Sequence, residues 1–208
     1  MPDWSRRRAL QAATAAAALA LAGCSGEESS SNEIPRARGD PVSPSEFEVT
    51  FVRDTDGEPL FAVGEDGVGE DGVGEDGVDE DGRGIEYLTD EADREELTFR
   101  STEPAAELRA FVDEADLESR SVYLLQRPIG ECYEARLVGV YRETDGVDAD
   151  FCQALRSANV ECSAEDRDTV GVAIRLPFSG DSFSGYGAGW SGDCDRGTAV
   201  AREGGDGT

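Results

Sequence analysis

The chain has 208 residues and carries 46 acidic against 19 basic side chains, a formal net charge of −27; every basic residue is arginine, and histidine and lysine are absent. Without histidine there is no Ser-His-Asp or Cys-His catalysis and little basis for zinc or copper binding; without lysine there is no Schiff base or phosphate-loop lysine. The sign of the charge also excludes a nucleic acid held through its backbone.

Such a charge repels itself in dilute buffer, whereas molar salt shortens the Debye length to about 3 Å and screens it. Surface carboxylates then keep the protein hydrated. The absence of lysine, whose long alkyl stem salt would drive together, fits the same solvent. The composition therefore reads as that of a halophile protein.

Chain order begins with Ser5-Arg6-Arg7-Arg8 and an Ala- and Leu-rich run from Ala12 to Ala22. A charged start and a short apolar run make a targeting segment, too short for the ~20 apolar residues of a spanning helix. Arg6 and Arg7 after Ser5 resemble the twin-arginine export signal, although Ala9 stands where phenylalanine is usual. That resemblance implies export in the folded state. Leu21-Ala22-Gly23-Cys24 resembles the lipobox of bacterial and archaeal lipoproteins. It implies cleavage of signal peptide 1–23 before Cys24, a lipid on that sulfur, and a membrane anchor on the extracytoplasmic face. Residues 24–45, with Ser29–Ser31 and Pro35, Pro41 and Pro44, read as a flexible tether.

The domain is expected over 46–195. Residues 47–53 alternate as a half-buried strand, Asp54–Gly57 turns, and 60–63 returns. A five-residue unit, Gly-Glu-Asp-Gly-Val, then repeats through 64–83. Its period suits neither helix nor strand, and it reads as an acidic surface insertion of small entropic cost.

Short strands are expected at 85–89 and 96–100. Thr102 caps a helix with Pro104 in its first turn and one apolar face of Leu108, Phe111, Val112 and Ala115. Residues 122–126 make a compact strand. The longer strand 132–142 puts Tyr133, Ala135, Leu137, Gly139 and Tyr141 on one face. A two-residue turn at Asp145-Gly146 leads into 147–155, placing Thr144 opposite Val147 and Gly139 opposite Cys152. A last strand, 169–176, stops at Pro177, followed by an aromatic Gly/Ser loop over 179–190 and a disordered tail at 196–208. The fold class is mainly β or α+β: a disulfide-braced single domain, an antiparallel sheet or β-sandwich with one packed helix.

Setting Cys24 aside leaves Cys132, Cys152, Cys162 and Cys194, an even set that in an exported chain implies two disulfides. Three pairings are open. Cys152–Cys162 with Cys132–Cys194 is preferred, and Cys132 with Cys162 is nearly as plausible. No Cys-x-x-Cys pair suggests a thiolate metal site.

Gly180-Asp181-Ser182-Phe183 resembles the nucleophile block of the Gly-Asp-Ser-Leu esterases, but that family needs a later histidine, so Ser182 reads as a loop serine. No catalytic set stands out, and the chain is expected not to be an enzyme. No metal site or cofactor is expected; calcium alone has some footing, at Asp54-Thr55-Asp56-Gly57, Asp148-Ala149-Asp150 and the acidic repeat.

The block Gly130-Glu131-Cys132-Tyr133, Asp150-Phe151, Leu155-Arg156, Val160-Glu161-Cys162 and Arg175-Leu176-Pro177 resembles a group of secreted haloarchaeal proteins without assigned activity. The expectation is a non-catalytic surface lipoprotein that binds a protein or envelope partner, with Phe183, Tyr186 and Trp190 (beside Phe178) as its contact loop. A solute-binding lipoprotein feeding a transporter is the alternative, and a carboxylate-based hydrolase the third reading.

Overall fold

The computed structural model describes residues 39–64, 82–180, 183, 185–194 and 199–204; Arg6, Arg7, Cys24, Ser182 and most of the acidic repeat lie outside them. The described elements run β1 (Asp40–Pro41), β2 (Glu48–Asp54), β3 (Phe61–Val63), β4 (Gly84–Leu88), α1 (Glu91–Glu95), β5 (Leu97–Phe99), α2 (Glu103–Asp113), β6 (Ser121–Gly130), β7 (Tyr133–Arg142), β8 (Gly146–Leu155), β9 (Arg167–Leu176), β10 (Gly185–Ser191) and β11 (Ala201–Arg202). They form a disulfide-braced, mainly antiparallel β domain with helices on one side.

The central sheet has the order β2-β9-β6-β4. The outer sheet runs β1-β7-β8-β10, with β11 also on β7, and β3 pairs with β5 alone. Two apolar clusters explain the layering. Tyr123, Leu125, Val170, Val172 and Ile174 of the central sheet meet Ala135, Leu137, Val140, Val147, Ala149 and Phe151 of the outer one. On the opposite face, Val52, Val122, Leu124 and Ala173 pack under Ala105, Leu108 and Val112 of α2, with Leu60 and Phe61. The central sheet is thus covered on both faces, which is why β9 is buried from Asp168 to Ile174 almost without interruption.

Contact with the helix layer is close enough to dictate a glycine. A Cβ on Gly171 would lie 2.5 Å from Leu60 Cδ1, 3.0 Å from Val52 Cγ2 and 3.1 Å from Leu108 Cδ2. Buried Gln126 of β6 fixes β3 from the same face. Its Oε1 accepts from the backbone N–H of Leu60 (2.7 Å) and Phe61 (3.1 Å), and its Nε2 donates to the Phe61 carbonyl (2.9 Å).

The helix at 103–113 starts as expected, with the Thr102 side chain accepting from Ala105 N–H and Pro104 in the first turn. Its far end is closed by Arg94 of α1, which donates to the carbonyls of Val112, Asp113 and Ala115 at 3.2–3.3 Å. The helix α1 was not expected. It rests on a reciprocal Asp90/Asp93 capping box, which five residues of moderate helix propensity would otherwise lack.

Several expectations need correction. The β7–β8 hairpin pairs Arg142 with Val147 and Gly139 with Asp150, not Thr144 with Val147 and Gly139 with Cys152. The chain turns one residue earlier than expected, over Thr144-Asp145, with Glu143 N–H donating to the Gly146 carbonyl (2.9 Å). Gly146 serves a different need: a Cβ there would meet the Gly185 carbonyl oxygen at 2.2 Å, so it admits the neighbouring strand. A register shift between Leu137 and Gly139 leaves Val138 as an extra residue. This bulge moves the alternation by one: Ala135 and Leu137 point inward, then Val140, while Gly139 and Tyr141 turn outward.

The stretch expected as a loop over 179–190 contains β10, which pairs parallel to β8 from Gly185↔Gly146 to Ser191↔Cys152. The tether and tail are also partly built into the sheet. Asp40 and Pro41 pair with Arg142 and Tyr141, and Ala201 and Arg202 pair with Leu137 and Arg136.

The disulfides are Cys132–Cys162 and Cys152–Cys194, with sequence separations of 30 and 42. The preferred local bridge fails because β8 runs on from Cys152 to Leu155 before the chain turns. The returning segment then lies along the entry to β7, where Arg156 N–H donates to the Cys132 carbonyl and Ser163 N–H to Glu131. That brings Cys162 to Cys132. Cys194 comes three residues after Ser191, which is paired with Cys152.

Candidate functional site

The sequence Gly185-Tyr-Gly-Ala-Gly-Trp-Ser191 alternates small and larger side chains with period two, and β10 uses both faces. Its parallel register sets Gly187 beside Asp148 and Gly189 beside Asp150. A Cβ at those glycines would meet Asp148 Oδ1 at 2.3 Å and Asp150 Oδ1 at 2.1 Å. Glycine therefore makes room for two carboxylates lying across the strand. Tyr141 pairs with Asp148 on the neighbouring β7, and a Cβ on Gly139 would lie 3.0 Å from its hydroxyl. The outer face of this sheet is thus a glycine floor bearing Asp148, Asp150 and Tyr141.

On the inner side, Trp190 stacks on Phe151 (5.4 Å between centroids), with the Arg127 guanidinium 3.9 Å from its ring centroid. Phe183 lies 5.8 Å from Tyr87 and edge-on to Phe178 at 5.7 Å, and Arg142 sits over the Phe178 ring at 4.6 Å. The Tyr87 hydroxyl meets Ser121 Oγ at 2.7 Å. Ser121 in turn donates to the Phe178 carbonyl at 2.8 Å. Aromatic packing here is also cation–π packing, in which arginine supplies every cation.

Between β10 and the strands β6 and β4 of the central sheet, which share no ladder with it, the contacts are made by side chains. The Tyr123 hydroxyl donates to the Gly187 carbonyl at 2.8 Å. Burial, with the charges of Asp148 and Tyr186, raises the Tyr123 pKa far above its ordinary range. The Tyr186 hydroxyl lies 3.5 Å from Glu86 Oε2. Burial pushes the Glu86 carboxyl up to about 7; the Tyr186 hydrogen bond opposes this, and the carboxylates of Asp93 and Glu96 add to it. Tyr186 is itself raised, by burial and then by Glu86 and Asp93.

Among the expected contact residues, Phe183 and Trp190 are half-buried at the margin of the inter-sheet core, whereas Tyr186 is 46% exposed. The structure brings them to one edge of the sandwich. The candidate cation residues are kept apart from any cage: Asp54 is buried, with Oδ1 accepting from Asp56 N–H at 2.9 Å, and Asp148 and Asp150 lie on the outer sheet. Among the described residues, no group of three or more Asp, Glu, Cys or His is placed to hold a metal ion, and no helix is long and apolar enough to cross a membrane.

Sequence reasoning missed two charged groups. Glu86 meets Tyr186 across 100 residues, and no local pattern announces such a pair. Arg53 of β2 binds Asp168 and Glu203 and donates to the Tyr133 carbonyl, joining the two sheets along the opposite edge. Burial opposes the charge on Arg53, but its two carboxylate partners outweigh that and hold its pKa above the ordinary value. A shallow cleft of about 210 Å³ adjoins this edge, lined by Glu134, Arg156, Ser157, Val160, Glu203 and Gly204.

No protein-family model matches the sequence, and neither curated proteins nor solved structures show significant similarity to it.

Proposed function

We propose that this protein is a non-catalytic surface lipoprotein of a halophile, exported folded and held to the membrane by a lipid on Cys24, which binds a protein or other envelope partner. The residues that support the anchor are Arg6 and Arg7, followed by the Leu21-Ala22-Gly23-Cys24 box; the all-arginine, −27 composition supports the high-salt setting.

One observation carries the binding role. Among the described residues the outer sheet is packed on one side only, and its other face offers a broad glycine floor with Asp148, Asp150 and Tyr141; at the β10 edge Tyr186, turned toward Glu86 and Tyr87 of the central sheet, is 46% exposed. A flat, polar face with an aromatic rim suits a macromolecular surface better than a small solute, which is normally enclosed. The described residues form one sandwich rather than two lobes, which weighs against a solute clamp.

The test is photo-crosslinking in living cells at native salt. A photoreactive residue replaces Tyr186 or, as a control, buried Leu124, and products are purified through a C-terminal tag. A reproducible neighbour captured from position 186 and not from 124 supports the proposal; none above background sinks it. Replacing Cys24 with serine tests the anchor separately, since the protein should then leave the membrane fraction.

A further inference from the structure

We infer that the outward edge of β10 is a strand-addition site: an extended segment of a protein partner, arginine or lysine alternating with apolar residues, pairs along Tyr186 to Trp190 and lays its cations across Gly187 and Gly189 onto Asp148 and Asp150. This names the partner's chemistry and so rests on the binding role proposed above. Three observations carry it. First, β10 ends its sheet: among the described residues it pairs with β8 and with no strand on its other side. Gly185 N–H donates to the Asp145 carbonyl, so Gly185, Gly187 and Gly189 turn their backbone groups toward β8. Strand alternation then points the N–H and C=O of Tyr186, Ala188 and Trp190 to the open side.

Second, this edge lacks the features that discourage pairing. All seven residues keep register with β8 without a bulge, and none is charged or proline, in a chain where 31% of residues are charged. The edge is also held in place beforehand. The Tyr123 hydroxyl donates to the Gly187 carbonyl, Trp190 stacks on Phe151, and the Cys152–Cys194 disulfide closes the far end. A partner strand therefore meets a formed edge rather than one it must order.

Third, the side chains beside the edge specify what fits. A Cβ on Gly187 would meet Asp148 Oδ1 at 2.3 Å and one on Gly189 would meet Asp150 Oδ1 at 2.1 Å, so both carboxylates lean off β8 and over β10. The next strand position lies about 4.8 Å further out, within reach of an arginine or lysine side chain, and the glycines put nothing between. On the inner side Tyr186 and Ala188 are exposed, although Val147 and Ala149 beside them on β8 are buried. Apolar residues alternating with the cations would cover them. Two copies of this chain joined β10 to β10 do not fit, because neither strand brings a cation.

Main-chain hydrogen bonds supply the affinity of such an addition, and the alternate side chains its specificity. Molar salt screens the approach of the charges but leaves the backbone bonds. Neutralising both carboxylates should therefore weaken binding of a cationic strand by roughly fivefold rather than abolish it.

The test uses amide hydrogen exchange by NMR on the full chain in molar KCl, with a synthetic peptide of alternating valine and arginine, as long as the seven residues of β10. At millimolar peptide, protection at Tyr186, Ala188 and Trp190 should rise more than about tenfold, with β2 and β4 unchanged. The same peptide methylated on every backbone amide, and one with glutamate for arginine, should give no rise. Asp148→Asn with Asp150→Asn should weaken the arginine peptide roughly fivefold while the ladder on β8 keeps its protection. No rise, an equal rise with either control peptide, or a rise on β2 or β4 overturns strand addition here. So does protection of these three amides before peptide is added, which would mean that another part of this chain, or a second copy if protection grows with concentration, already occupies the edge. The peptide needs no natural partner, so its failure leaves standing a neighbour crosslinked from position 186.

Discussion

Replacing Gln126 by leucine removes the three hydrogen bonds through which β6 holds the Leu60–Phe61 segment. The side chain is fully buried, and all three partners are backbone groups: Leu60 N–H, Phe61 N–H and the Phe61 carbonyl. A net hydrogen bond contributes about 1 kcal/mol, and each backbone group left buried and unpaired costs about 1–3 kcal/mol, while the apolar replacement returns about 1–2 kcal/mol. The expected loss is about 3–5 kcal/mol, or roughly a 10 °C fall in Tm for a domain of this size. Urea denaturation in molar KCl, followed by far-ultraviolet circular dichroism, measures it. Glu at the same position sharpens the test: the carboxylate still accepts from both N–H groups, but its second oxygen faces the Phe61 carbonyl, where the amide had donated. Gln126→Glu should therefore be destabilised at neutral pH and recover at acid pH, as that oxygen gains a proton. A loss below about 1 kcal/mol for leucine would refute the reasoning, since the segment would then be held by packing alone.

Arg53→Met leaves Asp168 and Glu203 without their cation on the buried inter-sheet edge and should cost about 3–5 kcal/mol by the same denaturation assay. Adding Asp168→Asn should recover part of that loss if the orphaned charge is its cause. Gly171→Ala drives a methyl against Leu60, Val52 and Leu108 and should cost about 1–3 kcal/mol, with no change in the packing of the outer sheet. Removing the bridge whose cysteines are 30 residues apart, as Cys132→Ser with Cys162→Ser, should cost about 3–4 kcal/mol on the loop-entropy scale; peptide mapping of the unreduced protein checks the pairing itself.

The strands with clean alternation were legible, and so was the helix that begins at Thr102, because local spacing carries that information. Details set by long-range partners were not. The extra residue at Val138 is visible only once β8 is laid beside β7. The strand at 185–191 did show alternation, Tyr186, Ala188 and Trp190 between glycines, but its glycine content argued for a loop until the carboxylates of Asp148 and Asp150 gave those glycines a reason. A capping box at Asp90 and Asp93 is a local signal for α1, but five residues are too few to show an apolar periodicity beside it. At the candidate site, the aromatic residues could be named from composition, whereas their division into half-buried Trp190 and exposed Tyr186 depends on where the central sheet ends.

The outer edge of β7 is covered in two pieces, Asp40–Val42 over Arg142 to Val140 and Val200–Glu203 over Leu137 to Ala135, with the bulged Val138 and Gly139 between them. An uncovered ten-residue strand would be a template on which a second molecule could add its own strand. Here the two short segments occupy that template, and the bulge breaks the run where they do not meet. Crowded neighbours in concentrated salt, where charge repulsion is screened, therefore find no continuous β7 edge on which to aggregate.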